Sequence, residues 1–124
     1  MIDDGHYARQ AQAWADTGRG REGLLSGVAL VALRCWHWDY AKEPGARPLI
    51  AEFLAASEAQ QPAGWFDAVL AQRECCKRCG GRYRIENLSI CTRCQALHCY
   101  ECVNKCDRDA AGKRVCRCGG VLAG

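Results

Sequence analysis

The chain has 124 residues and a formal net charge of +3, and 49% of its residues are hydrophobic. This composition excludes a disordered chain, and no apolar run approaches the roughly 18 residues of a membrane span. The length suits one domain or two small ones that pack together. The first residues include two acids, Asp3 and Asp4, and lack the apolar core of a signal peptide. We therefore expect a cytoplasmic protein under reducing conditions.

Residues 1–73 are predicted to form a bundle of about four helices. Apolar residues at helical spacing place these helices at about 3–16, 22–38, 48–60 and 62–74. Asp3 and Asp4 suit the positive end of the first helix, and Pro48 suits the first turn of the third. The second helix is apolar nearly all round, which predicts burial at the centre of the bundle with Cys35 as a small hydrophobic residue.

Residues 74–124 are predicted to form a zinc-binding domain with two metal sites. Ten of the eleven cysteines lie here, and eight of them form four close pairs. Two thiolates so close in sequence can bind the same metal ion, and a tetrahedral structural zinc site takes four such ligands. Four pairs therefore supply the ligands for two structural Zn²⁺ ions. The odd cysteine count and the confinement to one segment argue against a disulfide framework. The predicted ligands are Cys76, Cys79, Cys91, Cys94, Cys99, Cys102, Cys116 and Cys118.

The predicted fold class is thus a helical bundle followed by a small β and irregular module that zinc stabilises. Gly80 and Gly119 each follow a cysteine pair, where a residue with positive φ can close the turn. Alternating residues from Arg82 to Ile90 predict a short β-hairpin that turns at Asn87. Residues 97–103 are predicted to begin a strand or a helix.

Two arrangements of the four pairs remain open. In a cross-brace the first pair shares an ion with the third, and the second with the fourth. In a sequential arrangement the first two pairs share one ion and the last two share the other. The four-residue gap between Cys94 and Cys99 suits both. Cys75, His98 and Cys106 are additional candidate ligands that could replace one of the eight.

The cysteine spacing resembles that of the RING and FYVE zinc fingers. The order is Cys-x2-Cys, eleven residues, Cys-x2-Cys, four residues, Cys-x2-Cys, thirteen residues and Cys-x-Cys. The sequence Arg114-Val115-Cys116 also looks like the FYVE approach to the last pair. This resemblance covers about residues 75–120 and implies a cross-brace, or treble-clef, finger. Residues 91–102 also look like the in-between-RING pattern, which implies sequential sites.

Several positions depart from these families. FYVE domains carry a basic, histidine-rich run before the third cysteine, where this chain has residues 87–90, Asn-Leu-Ser-Ile. We therefore expect no phosphoinositide binding. RING ligases usually present an apolar residue in the first zinc loop, where this chain has Lys77 and Arg78. Gly119 stands where an arginine or lysine often contacts ubiquitin.

The charge of the cysteine-rich half does not by itself indicate nucleic-acid binding. Residues 73–124 carry eleven basic and five acidic side chains, which gives +6. Two zinc sites of four thiolates each contribute −4 in total, which leaves about +2. Nucleic-acid binding by tandem zinc ribbons is therefore an alternative that we do not favour. It would use Arg78, Arg82, Arg84, Arg93 and Arg117.

The favoured function is a non-enzymatic adaptor that binds a protein partner. A catalytic zinc needs an open coordination position, and eight thiolates leave none. The main alternative is a RING-like ligase or scaffold for a ubiquitin-like modifier, which would act without a covalent intermediate.

Overall fold

The computed structural model describes residues 4–110 and 112–123, and Asp3 lies outside them. The chain divides into two compact units, Met1–Ala63 and Gly64–Gly124. This division falls before residue 73, because the fourth helix contacts a 3₁₀ turn at Ile85–Asn87 in the cysteine-rich part. The Ile85 N–H also donates to the Gln72 carbonyl at 2.8 Å.

Three helices form the first unit: α1 (Gly5–Asp16), α2 (Gly27–Tyr40) and α3 (Pro48–Ala59). Both α1 and α2 contact α3. Aromatic rings from all three helices fill the core, with ring centroids 4.7 Å apart for Tyr7 and Trp36 and 5.6 Å apart for Trp14 and Phe53. The buried core residues are Tyr7, Ala11, Trp14, Leu33, Trp36, Tyr40, Ile50 and Phe53.

The second helix differs from its prediction in both extent and burial. It begins at Gly27 rather than residue 22, because Gly23 and Gly27 adopt positive φ angles of 84° and 57° that interrupt the helix. The predicted burial holds for Leu30, Val31, Ala32 and Leu33, which together span a full turn and are at most 1% exposed, but it does not extend along the rest of the helix. Trp38 is 72% exposed and Cys35 is half-buried, so α2 has an open face.

The second unit combines two short helices with two small sheets. Its elements are α4 (Trp65–Leu70), β1 (Arg73–Cys75), β2 (Arg82–Arg84), β3 (Leu88–Cys91), β4 (Leu97–Cys99), α5 (Tyr100–Val103) and β5 (Leu122–Ala123). One sheet pairs β1 with β2, and the other has the order β4-β3-β5. All the described pairings are antiparallel.

The predicted hairpin at residues 82–90 does not form. Strand β2 pairs with β1, with Glu74 opposite Tyr83, and β3 pairs with β4 and β5 instead. The reason is the 3₁₀ turn between β2 and β3, which buries Ile85 to 1% exposure and redirects the chain. Residues 97–103 were predicted to begin a strand or a helix, and they contain both, because β4 is followed directly by α5.

Candidate metal centres

The structure brings the eight predicted cysteines together in two groups of four. Within each group all sulfur atoms lie within 4.8 Å of one another. Cluster I contains Cys76, Cys79, Cys99 and Cys102, and cluster II contains Cys91, Cys94, Cys116 and Cys118. The first pair therefore joins the third and the second joins the fourth, which is the cross-braced arrangement and not the sequential one. Tandem ribbons, the basis of the nucleic-acid alternative, require the sequential arrangement.

Three of the four pairs sit on turns with the same backbone pattern. The N–H of the first cysteine donates to a carbonyl beyond the pair, at 2.8 Å for Cys76 to Gly81, for Cys91 to Ala96 and for Cys116 to Gly120. A residue with positive φ closes each turn: Gly80 (75°), Gln95 (59°) and Gly119 (90°). The glycine positions follow the prediction, whereas Gln95 was not predicted because a non-glycine residue rarely adopts this conformation.

The last turn is one residue shorter than the other two. Gly119 donates to the Cys116 carbonyl at 2.8 Å across three residues, whereas Gly80 and Gln95 donate across four, to Cys76 and Cys91. This shortening matches the Cys-x-Cys spacing of the last pair. It also brings Gly120 so close to Cys91 that an added Cβ would lie 2.6 Å from the Cys91 sulfur.

The remaining pair is held by a strand and a helix. Cys99 ends β4 and Cys102 lies in α5. The Cys99 N–H donates to the Cys76 sulfur at 3.3 Å, so the third pair approaches the first through its backbone as well as its thiols. This arrangement joins two segments of the chain into one cluster.

The sulfur separations fit a tetrahedral metal ion better than disulfides. Sulfurs bound to one zinc at about 2.3 Å would lie about 3.8 Å apart, against about 2 Å in a disulfide. Cys79 and Cys99 are 3.8 Å apart, Cys94 and Cys116 are 3.7 Å apart, and Cys91 and Cys118 are closer at 3.3 Å. All eleven cysteines are free thiols. Each cluster could thus hold one ion with four sulfur ligands.

The thiols within a cluster differ in their tendency to ionise. Burial alone would raise the pKa of Cys76, but backbone N–H groups of Cys79, Cys99 and Arg78 outweigh it and lower that pKa to about 6. Burial raises the pKa of Cys102 to about 12, with a further contribution from the neighbouring thiols. Binding of a cation to cluster I would therefore release protons from some thiols and not others.

Cluster II shows the same asymmetry. Burial raises the pKa of Cys91 to about 12, although the N–H groups of Cys94 and Arg93 oppose it. Burial also acts to raise the pKa of Cys118, but the Gly120 N–H and the neighbouring thiols lower it to about 7. Each cluster thus contains a thiol whose pKa lies at or below neutral pH, and the thiolate is the form of cysteine that binds metal.

Two residues that the sequence did not single out as structural connect the second and fourth pairs. The Thr92 hydroxyl and N–H both donate to the Val121 carbonyl, at 2.9 and 3.0 Å. The Arg93 guanidinium donates to the Cys118 carbonyl at 3.2 Å. Arg93 was a candidate nucleic-acid contact, but its side chain here supports the last cysteine turn. The cysteine spacing contains no signal for either contact.

The three additional candidate ligands lie outside both clusters. Cys75 is exposed at the end of β1, and the Cys106 thiol donates to the Cys102 carbonyl at 3.4 Å. His98 is only 7% exposed, and neither of its ring nitrogens has a hydrogen-bond partner among the described residues. None of these residues replaces one of the eight cysteines.

Comparison of the chain with protein-family models, with curated proteins and with solved structures finds no match. The likeness to RING and FYVE fingers therefore rests on the cysteine spacing and the cross-braced grouping. Among the described residues, no helix has both the length and the apolar character needed to cross a membrane.

Proposed function

We propose that the eight clustered cysteines bind two structural Zn²⁺ ions and that the second unit is a non-enzymatic protein-interaction module. The grouping of the sulfurs carries this proposal, since four thiols within 4.8 Å form a complete ligand set for one ion. An all-sulfur tetrahedral site favours zinc over metals that prefer oxygen ligands. Cys76, Cys79, Cys99 and Cys102 would hold one ion, and Cys91, Cys94, Cys116 and Cys118 would hold the other.

The adaptor role is supported by the closed sites and by exposed aromatic side chains. Four sulfur ligands leave no open position at which an ion could activate water or a substrate. Tyr100 is 77% exposed in the second unit, and Trp38 is 72% exposed in the first. Large aromatic side chains are enriched among residues that dominate protein–protein binding, so these two positions are candidate contact points.

Counting bound metal tests the zinc proposal directly. Native mass spectrometry of the purified protein should show two zinc ions per chain. Cys79→Ser should remove the ion of cluster I and Cys94→Ser that of cluster II, each leaving one ion bound. Cys75→Ser is the matched control, because Cys75 neighbours a ligand yet lies outside both clusters, and it should retain two ions. Fewer than two ions in the unmodified protein would contradict the proposal.

The adaptor role needs a separate test. The zinc-loaded protein should capture a protein partner from cell extract, and Tyr100→Ala or Trp38→Ala should weaken capture of any partner that uses that surface. Turnover of a small-molecule substrate together with failure to capture any protein would contradict an adaptor.

The second candidate function is a ligase or scaffold for a ubiquitin-like modifier. The observation that favours it is the cross-braced grouping, which RING fingers share. The test is discharge of a modifier from charged conjugating enzymes, with Lys77→Ala and Arg78→Ala as variants in the first zinc loop, where RING ligases carry an apolar residue. A discharge rate that the protein does not increase would exclude this function.

A further inference from the structure

A groove beside cluster I has the character of a cation-binding site. We call it the tyrosine groove and define it by Tyr83, Glu86, Cys99, Tyr100 and Glu101. The cavity measures 570 Å³, which lies within the usual range for ligand pockets. It is larger than one amino-acid side chain, so it can receive a side chain together with part of the chain that carries it.

Two aromatic rings stand open to this groove. Tyr100 is 77% exposed and Tyr83 is 38% exposed, so neither side chain is buried in the core of the second unit. The Tyr83 ring lies close to Gly81, 2.9 Å from the position that a Cβ on Gly81 would take. An exposed aromatic ring offers an electron-rich face against which a cation can lie.

The charged side chains that line the groove are acidic. Glu86 and Glu101 contribute −2, and no lysine or arginine among the described residues lines the cavity. Cys99 belongs to cluster I, whose four thiolates and one zinc ion would contribute a further −2. Arg84 contacts Glu86 at 3.5 Å, but both groups are about half exposed, so this pair is weak. An anionic partner, including nucleic acid, would be repelled here.

We propose that the tyrosine groove binds a lysine or arginine side chain presented by a basic segment of a protein partner. The cation would lie against the Tyr100 and Tyr83 rings, with Glu86 and Glu101 beside it. The aliphatic stem of the side chain would cover apolar ring surface that is otherwise in contact with water. This inference rests on the proposed adaptor function, because it specifies the chemistry of the partner.

The test uses the zinc-loaded chain of 124 residues and a fluorescein-labelled peptide of arginine, lysine, glycine and serine. A peptide of the same length with glutamine in place of each basic residue is the ligand control. The basic peptide should bind, and the glutamine peptide should not. Tyr100→Ala and Glu101→Gln should each weaken binding by about tenfold, as expected for the loss of a central contact. NMR shifts should concentrate at residues 83–89 and 99–101.

The protein provides matched control variants. Glu22→Gln and Asp39→Asn each remove an exposed carboxylate from the first unit, outside the groove; neither should change binding. The groove proposal would be wrong if the basic peptide bound the unmodified protein, Tyr100→Ala and Glu101→Gln with equal affinity. Binding would then reflect non-specific electrostatic attraction.

This failure is distinguishable from failure of the adaptor role. If a captured partner remains fully bound to a Tyr100→Ala, Glu101→Gln double variant that still carries two zinc ions, the groove proposal falls and the adaptor role stands. Loss of that partner from the double variant but not from Glu22→Gln would support both.

Discussion

The carboxylate of Asp4 is the clearest case of a side chain whose role depends on distant residues. It accepts hydrogen bonds from the Tyr40 hydroxyl at 2.6 Å and from Arg47 Nε at 2.7 Å. Although Asp4 precedes α1, its side chain forms no cap on that helix. The Tyr40 hydrogen bond outweighs the effect of burial and, with Arg47, lowers the pKa of Asp4 below its usual value of 3.8.

This network predicts acid sensitivity in the first unit. A lowered pKa means that the unfolded state binds the proton more readily, so the contribution of Asp4 is complete above about pH 4 and is lost as pH falls through the folded-state pKa. Asp4→Asn should cost about 1–2 kcal/mol at neutral pH and should reduce this acid-dependent loss. Hydrogen exchange of α1 across the acid range measures this loss of stability in the unmodified protein and in Asp4→Asn. Asp39→Asn, which changes an exposed carboxylate, is the control. Identical pH profiles for Asp4→Asn and the unmodified protein would show that the network has no energetic role.

Gly120 is a residue whose identity is set by space and not by backbone angle. A Cβ there would lie 2.6 Å from the Cys91 sulfur and 2.7 Å from the Arg93 Cβ. Gly120→Ala should therefore displace Cys91 and lower the metal content from two ions to one, as read by native mass spectrometry. Gly20→Ala is the control, since nothing lies within 4 Å of its Cβ position. Retention of both ions by Gly120→Ala, with unchanged release kinetics, would show that the shortened turn can expand.

At the scale of elements, the loops of cluster II are joined by more than their thiols. Thr92 is buried, and its hydroxyl donates to the Val121 carbonyl beside β5. The three-stranded sheet adds the pairing of Cys91 with Leu122. The second and fourth cysteine pairs are therefore held together by the backbone before any metal is considered.

This connection predicts a selective effect of Thr92→Val, which keeps the side-chain shape and removes the hydroxyl. The loss should be about 1 kcal/mol, because the Thr92 N–H still donates to the same carbonyl. Transfer of zinc to a competing chelator should become several-fold faster from cluster II and stay unchanged for cluster I. Ser89→Ala, on the same strand system but outside both clusters, provides the comparison. Equal acceleration at both clusters would indicate general destabilisation instead.

At the scale of the whole molecule, the two units differ in what holds them together. The first unit has a buried aromatic and aliphatic core drawn from three helices. The two core clusters around the cysteines in the second unit consist mainly of those cysteines, with Leu88 in one and Ala96 in the other. Such small apolar clusters bury little surface, so metal ligation should supply much of the stability of this unit.

We therefore expect chelation to affect the two units differently. Removal of zinc should raise hydrogen exchange across residues 76–118 towards the rate of an unfolded chain, while α1, α2 and α3 stay protected. Re-addition of zinc should restore protection, and Cys94→Ser should show partial loss before any chelator is added. Protection of residues 76–118 that survives complete metal removal would contradict a metal-dependent fold. Simultaneous loss in α1–α3 would show that the units unfold together.

The sequence by itself determined the features that depend on local spacing. Helical periodicity located α1 and α3 to within about two residues, because an amphipathic stripe is a property of one segment. The close pairing of eight cysteines identified every sulfur now found in the two clusters. Gly80 and Gly119 were recognisable because a turn of this kind favours glycine.

Only the tertiary structure decided which pairs share a cluster. Any two pairs supply four sulfurs, and the short link between Cys94 and Cys99 permits either grouping. The choice follows from contacts between segments distant in sequence, such as Cys99 N–H to Cys76 and Thr92 to Val121. The same reason explains why β2 pairs with β1 and why Asp4 bonds to Tyr40. Such pairings depend on which groups meet in space, and a local pattern contains no information about that.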